Sequence, residues 1–250
     1  MAALAIYPIA ESILAHRPLH RRTTANGMVY RLTSLDQLGI ESEMFTQRGY
    51  APVLDLPPID SFIDLGCNSG WFAVWLAAQM PNPERKGLLI DANPRIVEEA
   101  KWHLTRNALQ HHHVVCGAVG LAPGTDDAVF HVNPSASQSS LLEHDDRQLP
   151  VKGHIQDVTV AAVSVAREWL AHFGEAPVDL MKIDIEGSEL DIIRYEGEFI
   201  RERVRAILLE WHKWHVTLPE IDVALVALGF QRLGVYTEDE LTGVALYRRQ

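Results

Sequence analysis

Short apolar runs alternate along this chain with stretches whose apolar positions recur at helical spacing, and the alternation sets in near residue 61. Ser61–Gly66 reads as a buried strand, followed by a glycine-containing turn and the apolar helix Trp71–Ala78. Gly87–Asp91 predicts a second strand. Asn93-Pro94 then fits an N-cap with proline at the first helical position, opening a helix to about Asn107. His113–Cys116 predicts a third strand, and Ala128–Val132 and Val158–Val163 flank a polar stretch holding Ser135, Ser137, Ser139 and Ser140, a candidate lid. Val178–Asp184, a helix from Ser188 to about Tyr195, Val204–Glu210 and a helix from Pro219 to Leu228 continue the alternation. Phe230–Tyr236 and Val244–Arg248 close it as an antiparallel pair. Strands alternating with helices imply an α/β fold, a mostly parallel sheet covered on both faces.

Pro57-Pro58 marks the first shift in composition, so residues 1–58 are expected to form an N-terminal lead-in packing on the core, and 59–250 a single domain. A hydrophobic fraction of 47% and a charged fraction of 22% support a substantial core. The formal net charge of -11 argues against generic nucleic-acid binding, which draws on an excess of Lys and Arg. Two cysteines, Cys67 and Cys116, make neither a disulfide framework nor a CxxC zinc pair, which fits a reducing cytoplasm. No basic segment precedes the short apolar run at the start, so no signal peptide is expected. No stretch approaches the roughly 20 apolar residues of a membrane-spanning helix.

Ligands of such sheets bind beyond the carboxyl ends of the strands, where strand order reverses. Three strand ends carry polar residues. Asp64-Leu-Gly-Cys-Asn-Ser-Gly70 allows a tight turn and a close approach of ligand to backbone, and its spacing is not the GxGxxG of a dinucleotide site. That turn suits a cationic amino-acid end; a plain β-α connection is the competing reading. Asp91, ending the second strand, can accept hydrogen bonds from both ribose hydroxyls, or stand as a solvated strand-end carboxylate or helix cap. Lys182-Ile-Asp-Ile-Glu-Gly-Ser-Glu189 turns Lys182, Asp184 and Glu186 toward the strand ends, where three charges need a task or partners. A neutralised Lys-carboxylate pair is the alternative there, and Glu189 fits a helix-dipole carboxylate better than a catalytic one.

Together these residues resemble the FkbM family of methyltransferases: Phe62-Ile-Asp-Leu-Gly-Cys-Asn-Ser-Gly70, Asp91-Ala-Asn-Pro94, Met181-Lys-Ile-Asp-Ile-Glu-Gly-Ser-Glu189 and Leu209-Glu-Trp-His212. The likeness covers about residues 40 to 212. It implies a Rossmann-like class I methyltransferase fold with a mostly parallel seven-stranded sheet, S-adenosylmethionine as methyl donor and a hydroxyl acceptor. It further implies that Asp64, Gly66, Cys67, Asn68, Gly70, Asp91 and Ala92 hold the cofactor, with Gly117 and Ala118 near its adenine. Two departures stand out: Asp91 where the family commonly has Glu, and Ala162-Val-Ser164 where it commonly has Thr-Leu-Asp. The family pattern leaves residues 1–39 and the tail after His215 unconstrained, which makes them the expected place for specificity.

Methyl transfer to an alcohol requires loss of the hydroxyl proton. His212 and His215 are candidate general bases, and Asp184 is the alternative, with Lys182 and Glu186 in the same catalytic group. A second mechanism would place Mg2+ on Asp184, Glu186 and Glu210 to lower the pKa of the acceptor oxygen. His111–His113 reads as a solvated loop rather than a metal site. Trp71 and Trp75 read as helix-face core, and Trp211 and Trp214 as residues shaping the cleft. The rival functions are a nicotinamide-dependent oxidoreductase, sharing the fold and Asp91, and an inactive cofactor-binding module. The expected partner is a small-molecule acceptor.

Overall fold

A computed structural model describes residues 12–46, 49–133, 139–142 and 155–250. In the middle of five parallel strands lies β3 (Ser61–Leu65), buried at every position, whose side chains alternate between the two faces of a seven-stranded sheet. The chain leaves β3 through α2 (Trp71–Gln79) to β4 (Lys86–Asp91), then through α3 (Pro94–Arg106) to β5 (His112–Cys116). It returns on the other side of β3 through α4 (Val165–Phe173) to β8 (Val178–Ile183), then through α5 (Glu189–Tyr195) and α6 (Gly197–Arg203) to β9 (Val204–His212). After α7 (Leu218–Ala227), β10 (Phe230–Glu238) and β11 (Thr242–Arg249) complete the order β10-β11-β9-β8-β3-β4-β5. The strands from β9 to β5 pair in parallel, and β11 inserts antiparallel between β9 and β10. Strand order reverses between β3 and β8, so a crevice opens above their carboxyl ends.

The period of two decides what each strand shows to each face. Ile63, Leu65, Met181, Ile183, Ile207 and Leu209 join one apolar cluster with α4, α5 and α7. Phe62, Leu180, Ala206 and Leu208 join the other, with Trp71, Phe72 and Trp75 of α2. Asp64, Lys182 and Glu210 have the parity of this second face, whose far side is closed by the N-terminal segment. That segment comprises the hairpin β1 (Leu19–Arg22) and β2 (Val29–Leu32), α1 (Gln37–Phe45) and a 3-10 turn at Ala51–Asp55. Tyr30, Leu32, Met44, Tyr50 and Val53 are buried there against α2.

Several elements differ from the sequence expectation. The predicted strands near 128–132 and 158–163 are β6 (Asp127–Val132) and β7 (Gln156–Ala161), but they pair with each other as an antiparallel ribbon separate from the seven-stranded sheet. Of the candidate lid, Ser135 and Ser137 lie outside the described residues. The Ser139–Leu142 piece is tied back by a bridge between Ser140 and His131. Ser164, where the family commonly has an acid, caps α4 instead, its side chain accepting from the Arg167 amide. The strand expected over His113–Cys116 is β5, which begins one residue earlier at His112, so of the histidine run only His111 precedes it; His113 stacks on His172 with ring centroids 4.0 Å apart. Asn93 caps α3 with Pro94 at its start, as the sequence predicts.

Candidate active site

The turn after β3 is built from left-handed backbone. Gly66 (φ +70°) and Gly70 (φ +72°) bracket Asn68 (φ 48°). A Cβ on Gly66 would lie 1.7 Å from the Asp184 carbonyl oxygen, so β8 can approach the turn only past a glycine. Gly70 serves α2: a Cβ there would crowd Ala100 of α3 at 3.1 Å, and Gly70 does not line the crevice. Asp91 gathers the neighbouring loops, its Oδ2 accepting from the Asn68 amide at 2.9 Å and its Oδ1 from the Asn93 amide at 2.8 Å. Burial lifts its carboxyl to about 6, with these two bonds working in the opposite direction. Gly66, Cys67, Asn68, Asp91, Ala92, Gly117 and Ala118 all line the crevice. Gly117 is glycine because a Cβ would stand 2.3 Å from Val163.

On the other side of the switch point, Lys182 is buried with Nζ 3.1 Å from Asp184 Oδ2 and 3.4 Å from Asp64 Oδ1. Burial works against its charge, but the two carboxylates outweigh it and raise the ammonium well above its ordinary range. Asp64 is fully buried beneath the turn, off the crevice surface, and burial raises its carboxyl against the pull of Lys182. Asp64 and Lys182 face each other because they are register partners on β3 and β8.

His212 does not present a free imidazole. It is buried at the end of β9, with Nδ1 2.8 Å from Glu189 Oε1 and Nε2 3.4 Å from Glu186 Oε2. Burial disfavours its charge, yet the Glu189 hydrogen bond and the Glu189, Glu186 and Asp184 charges raise it to about 10. The ring is therefore an imidazolium at neutral pH, which argues against the general-base role expected for it. His215 is exposed on the following turn and does not line the crevice. Glu189, expected as a helix-dipole carboxylate, is wholly buried and accepts from both His212 and the Gly187 amide. Glu210 does line the crevice, where burial and the Asp184 charge push its carboxyl up to about 8. Asp184, Glu210 and His212 offer ligand atoms within 4.8 Å of one another, whereas Glu186 is turned to His212 and falls outside that group.

The remaining wall comes from parts the sequence did not single out. Ile40, Glu43 and Met44 of α1, Tyr50, Phe130 of β6 and Leu141 face the crevice with Trp71, Phe72 and Ser139. The Ile40/Met44 spacing of four is the one sequence signal that marks α1 as a helix with a buried side. Trp211 is core, closed over by Gly243, and Trp214 packs on Gly187, so neither tryptophan lines the crevice. Trp75 is core as expected, while Trp71 is both core and wall.

The model of the methyltransferase FkbM domain matches residues 64–232, which spans the turn, Asp91, the Lys182–Glu189 segment and β9. The chain belongs to the FkbM methyltransferase family. Methyltransferase sdnD of Sordaria araneosa is 24% identical over 223 residues, 80% of this chain and 85% of that one. A crystal structure of methyltransferase FkbM from Methylobacillus flagellatus KT aligns with a TM-score of 0.51 at 15% identity, over 83% of this chain and 47% of that one. TrmK of M. capricolum, in complex with S-adenosylhomocysteine, aligns with a TM-score of 0.50 at 8% identity, over 83% of this chain and 70% of that one. These likenesses establish the class I methyltransferase fold for this FkbM member. Among the described residues no helix is long and apolar enough to cross a membrane.

Proposed function

We propose that this FkbM methyltransferase transfers a methyl group from S-adenosylmethionine to a hydroxyl oxygen of a small molecule. The observation that carries the cofactor is the acidic lining of the crevice: the Asp91, Asp184 and Glu186 carboxylates, with the raised carboxyls of Glu43 and Glu210, stand against Lys182 as the one ammonium among the described lining residues. Such a lining suits a sulfonium carrying an amino-acid end and repels the pyrophosphate of a nicotinamide dinucleotide. Asp91, held by two backbone amides, is oriented to accept from the ribose hydroxyls, and the small residues Ala92, Gly117 and Ala118 line the part of the crevice that would take the adenine. When bound, the cofactor supplies an electrophilic methyl group. The acceptor meets it against Glu43, Met44 and Tyr50, with Asp184 and Glu210 adjacent.

The chain's own residues then handle one proton. Lys182 anchors Asp184, and the Asp184–Glu210 pair takes the hydroxyl proton as the oxygen attacks, because a carboxyl raised to about 8 is a stronger base than an ordinary one. His212, as an imidazolium clasped by Glu186 and Glu189, holds that corner rigid. A divalent cation such as Mg2+ is a second reading, favoured by the closeness of the Asp184 and Glu210 carboxyls, which would be its ligands, and it would lower the pKa of the acceptor hydroxyl. Loss of turnover in EDTA with recovery on added Mg2+ selects that reading; indifference to EDTA selects the carboxyl pair.

Titration calorimetry tests the cofactor directly. S-adenosylmethionine and S-adenosylhomocysteine are expected to bind and NAD is not, and Asp91→Ala is expected to weaken both sulfur ligands at least about a hundredfold through loss of two hydrogen bonds to a charged group. Binding of NAD with no response to either sulfur ligand overturns the proposal in favour of an oxidoreductase.

A further inference from the structure

Gln37, on a helix outside the matched FkbM domain, reaches into the cofactor turn through a run of hydrogen bonds whose direction is fixed. The Thr33 and Ser34 amides point at Gln37 Oε1 at 2.6 and 3.3 Å, and since a backbone N–H can only donate, that atom is the oxygen. Nε2 is then the group facing Ser69 Oγ at 2.9 Å, and it donates. The Ser69 hydroxyl, having accepted, sends its one proton to Asn68 Oδ1 at 3.0 Å. The Ser69 amide donates to the same oxygen at 2.7 Å, which fixes the Asn68 amide as well. Gln37 and Ser69 are 4% and 2% exposed, so water does not compete for these bonds. With its Oδ1 turned inward and its main-chain N–H given to Asp91, Asn68 has Nδ2 left with which to address the crevice that it lines.

We propose that Gln37 and Ser69 are positioning residues that hold the Asn68 amide as a hydrogen-bond donor to the carboxylate of the cofactor's amino-acid end. The proposal rests on the S-adenosylmethionine reading above. It gives the N-terminal segment a part in cofactor recognition: the polarity of the chain starts at the Thr33 and Ser34 amides and ends at a donor where a negative group must sit. Without the Ser69 hydroxyl bond only the Ser69 main-chain N–H holds the Asn68 oxygen inward, and an amide that turns over offers its oxygen, which repels a carboxylate.

The test is calorimetry on the full chain with two ligands: S-adenosylhomocysteine, and 5′-methylthioadenosine, which keeps the nucleoside and thioether but has no amino-acid end. Ser69→Ala and Gln37→Glu are each expected to weaken S-adenosylhomocysteine about tenfold and to change methylthioadenosine by less than about twofold, since only a charge-assisted bond to the carboxylate is disturbed. In Gln37→Glu the substituted carboxylate still accepts from Thr33 and Ser34 but cannot donate, so the Ser69 proton turns away from Asn68. Asn68→Asp, which leaves the relay itself untouched and replaces the donor by an acceptor, is expected to weaken S-adenosylhomocysteine more than about tenfold and to spare methylthioadenosine. It decides the matter if either relay variant melts too low to assay. Parallel weakening of both ligands, as from a collapsed turn, overturns the proposal, and so does unchanged S-adenosylhomocysteine affinity. A wild-type chain that binds neither ligand removes the cofactor reading itself, a result distinct from a variant that loses selectivity.

Discussion

His212 and Glu210 lie two positions apart on β9 and on the same face, yet their environments drive them to opposite uses. Two carboxylates clasp His212 and keep its proton on, while burial beside Asp184 keeps a proton on Glu210 until the pH nears 8. With a carboxyl raised to about 8, the active base forms as pH rises, so the rate of methyl transfer should climb through that value. Glu210→Gln should flatten this limb and cost about a hundredfold or more in kcat, read from a pH-rate profile. His212 makes a stability prediction of its own. Its folded value of about 10 lies above the ordinary 6.5, so the folded state holds the proton more tightly than the unfolded chain. That contribution is complete below 6.5 and disappears as pH rises through about 10. Melting curves should show the gap in Tm between wild type and His212→Gln wide at pH 6 and closing by pH 10; an unchanging gap would remove the imidazolium.

At the level of elements, the site depends on how closely β8 can lie against the turn after β3. Gly66→Ala adds a Cβ 1.7 Å from the Asp184 carbonyl at a residue already in left-handed backbone. The strand end must move, and a loss of about 3 kcal/mol or more is expected in denaturant unfolding, from strain and displaced packing together. Cofactor affinity should fall with it, since the same movement displaces Asp184 and Lys182. The β6–β7 ribbon belongs to this scale too. Its contribution to the wall, Phe130, comes from a strand that pairs outside the main sheet, with Ser140 Oγ donating to the Glu186 carbonyl at 2.8 Å to hold the 139–142 piece over the crevice.

The whole molecule is closed by its N-terminal segment, which is part of the core. Tyr30 stacks on Phe45 at 4.4 Å between ring centroids and meets Trp71 edge-on at 5.4 Å, and Arg31 pairs with Glu99 of α3 at 2.8 Å. A chain beginning at residue 59 would lose the Tyr30, Leu32, Met44, Tyr50 and Val53 side of that cluster and expose Trp71 and Trp75. It is expected to bind a hydrophobic dye and to melt without a cooperative transition, since uncovering several large apolar side chains at about 1.5–3 kcal/mol each exceeds the margin of a typical domain. A cooperative melt from the truncated chain would instead make the segment an accessory.

The sequence by itself determined the parallel core, the glycine turn, Asp91 and the Lys182–Glu189 segment, because each is a local signal: strand period, left-handed positions and strand-end charges sit within a few residues of one another. Tertiary structure alone decided which of those charges face the crevice. Asp64 looks like a ligand in the one-dimensional pattern but lies beneath the turn as the partner of Lys182, and His212 looks like a base but meets Glu189, 23 positions away, as a cation. It likewise built the crevice wall, drawing Ile40, Glu43, Tyr50, Phe130 and Leu141 from separate segments onto one space. Protonation state and pocket shape depend on burial and on neighbours brought together across the sheet, and spacing along the chain does not encode those distances.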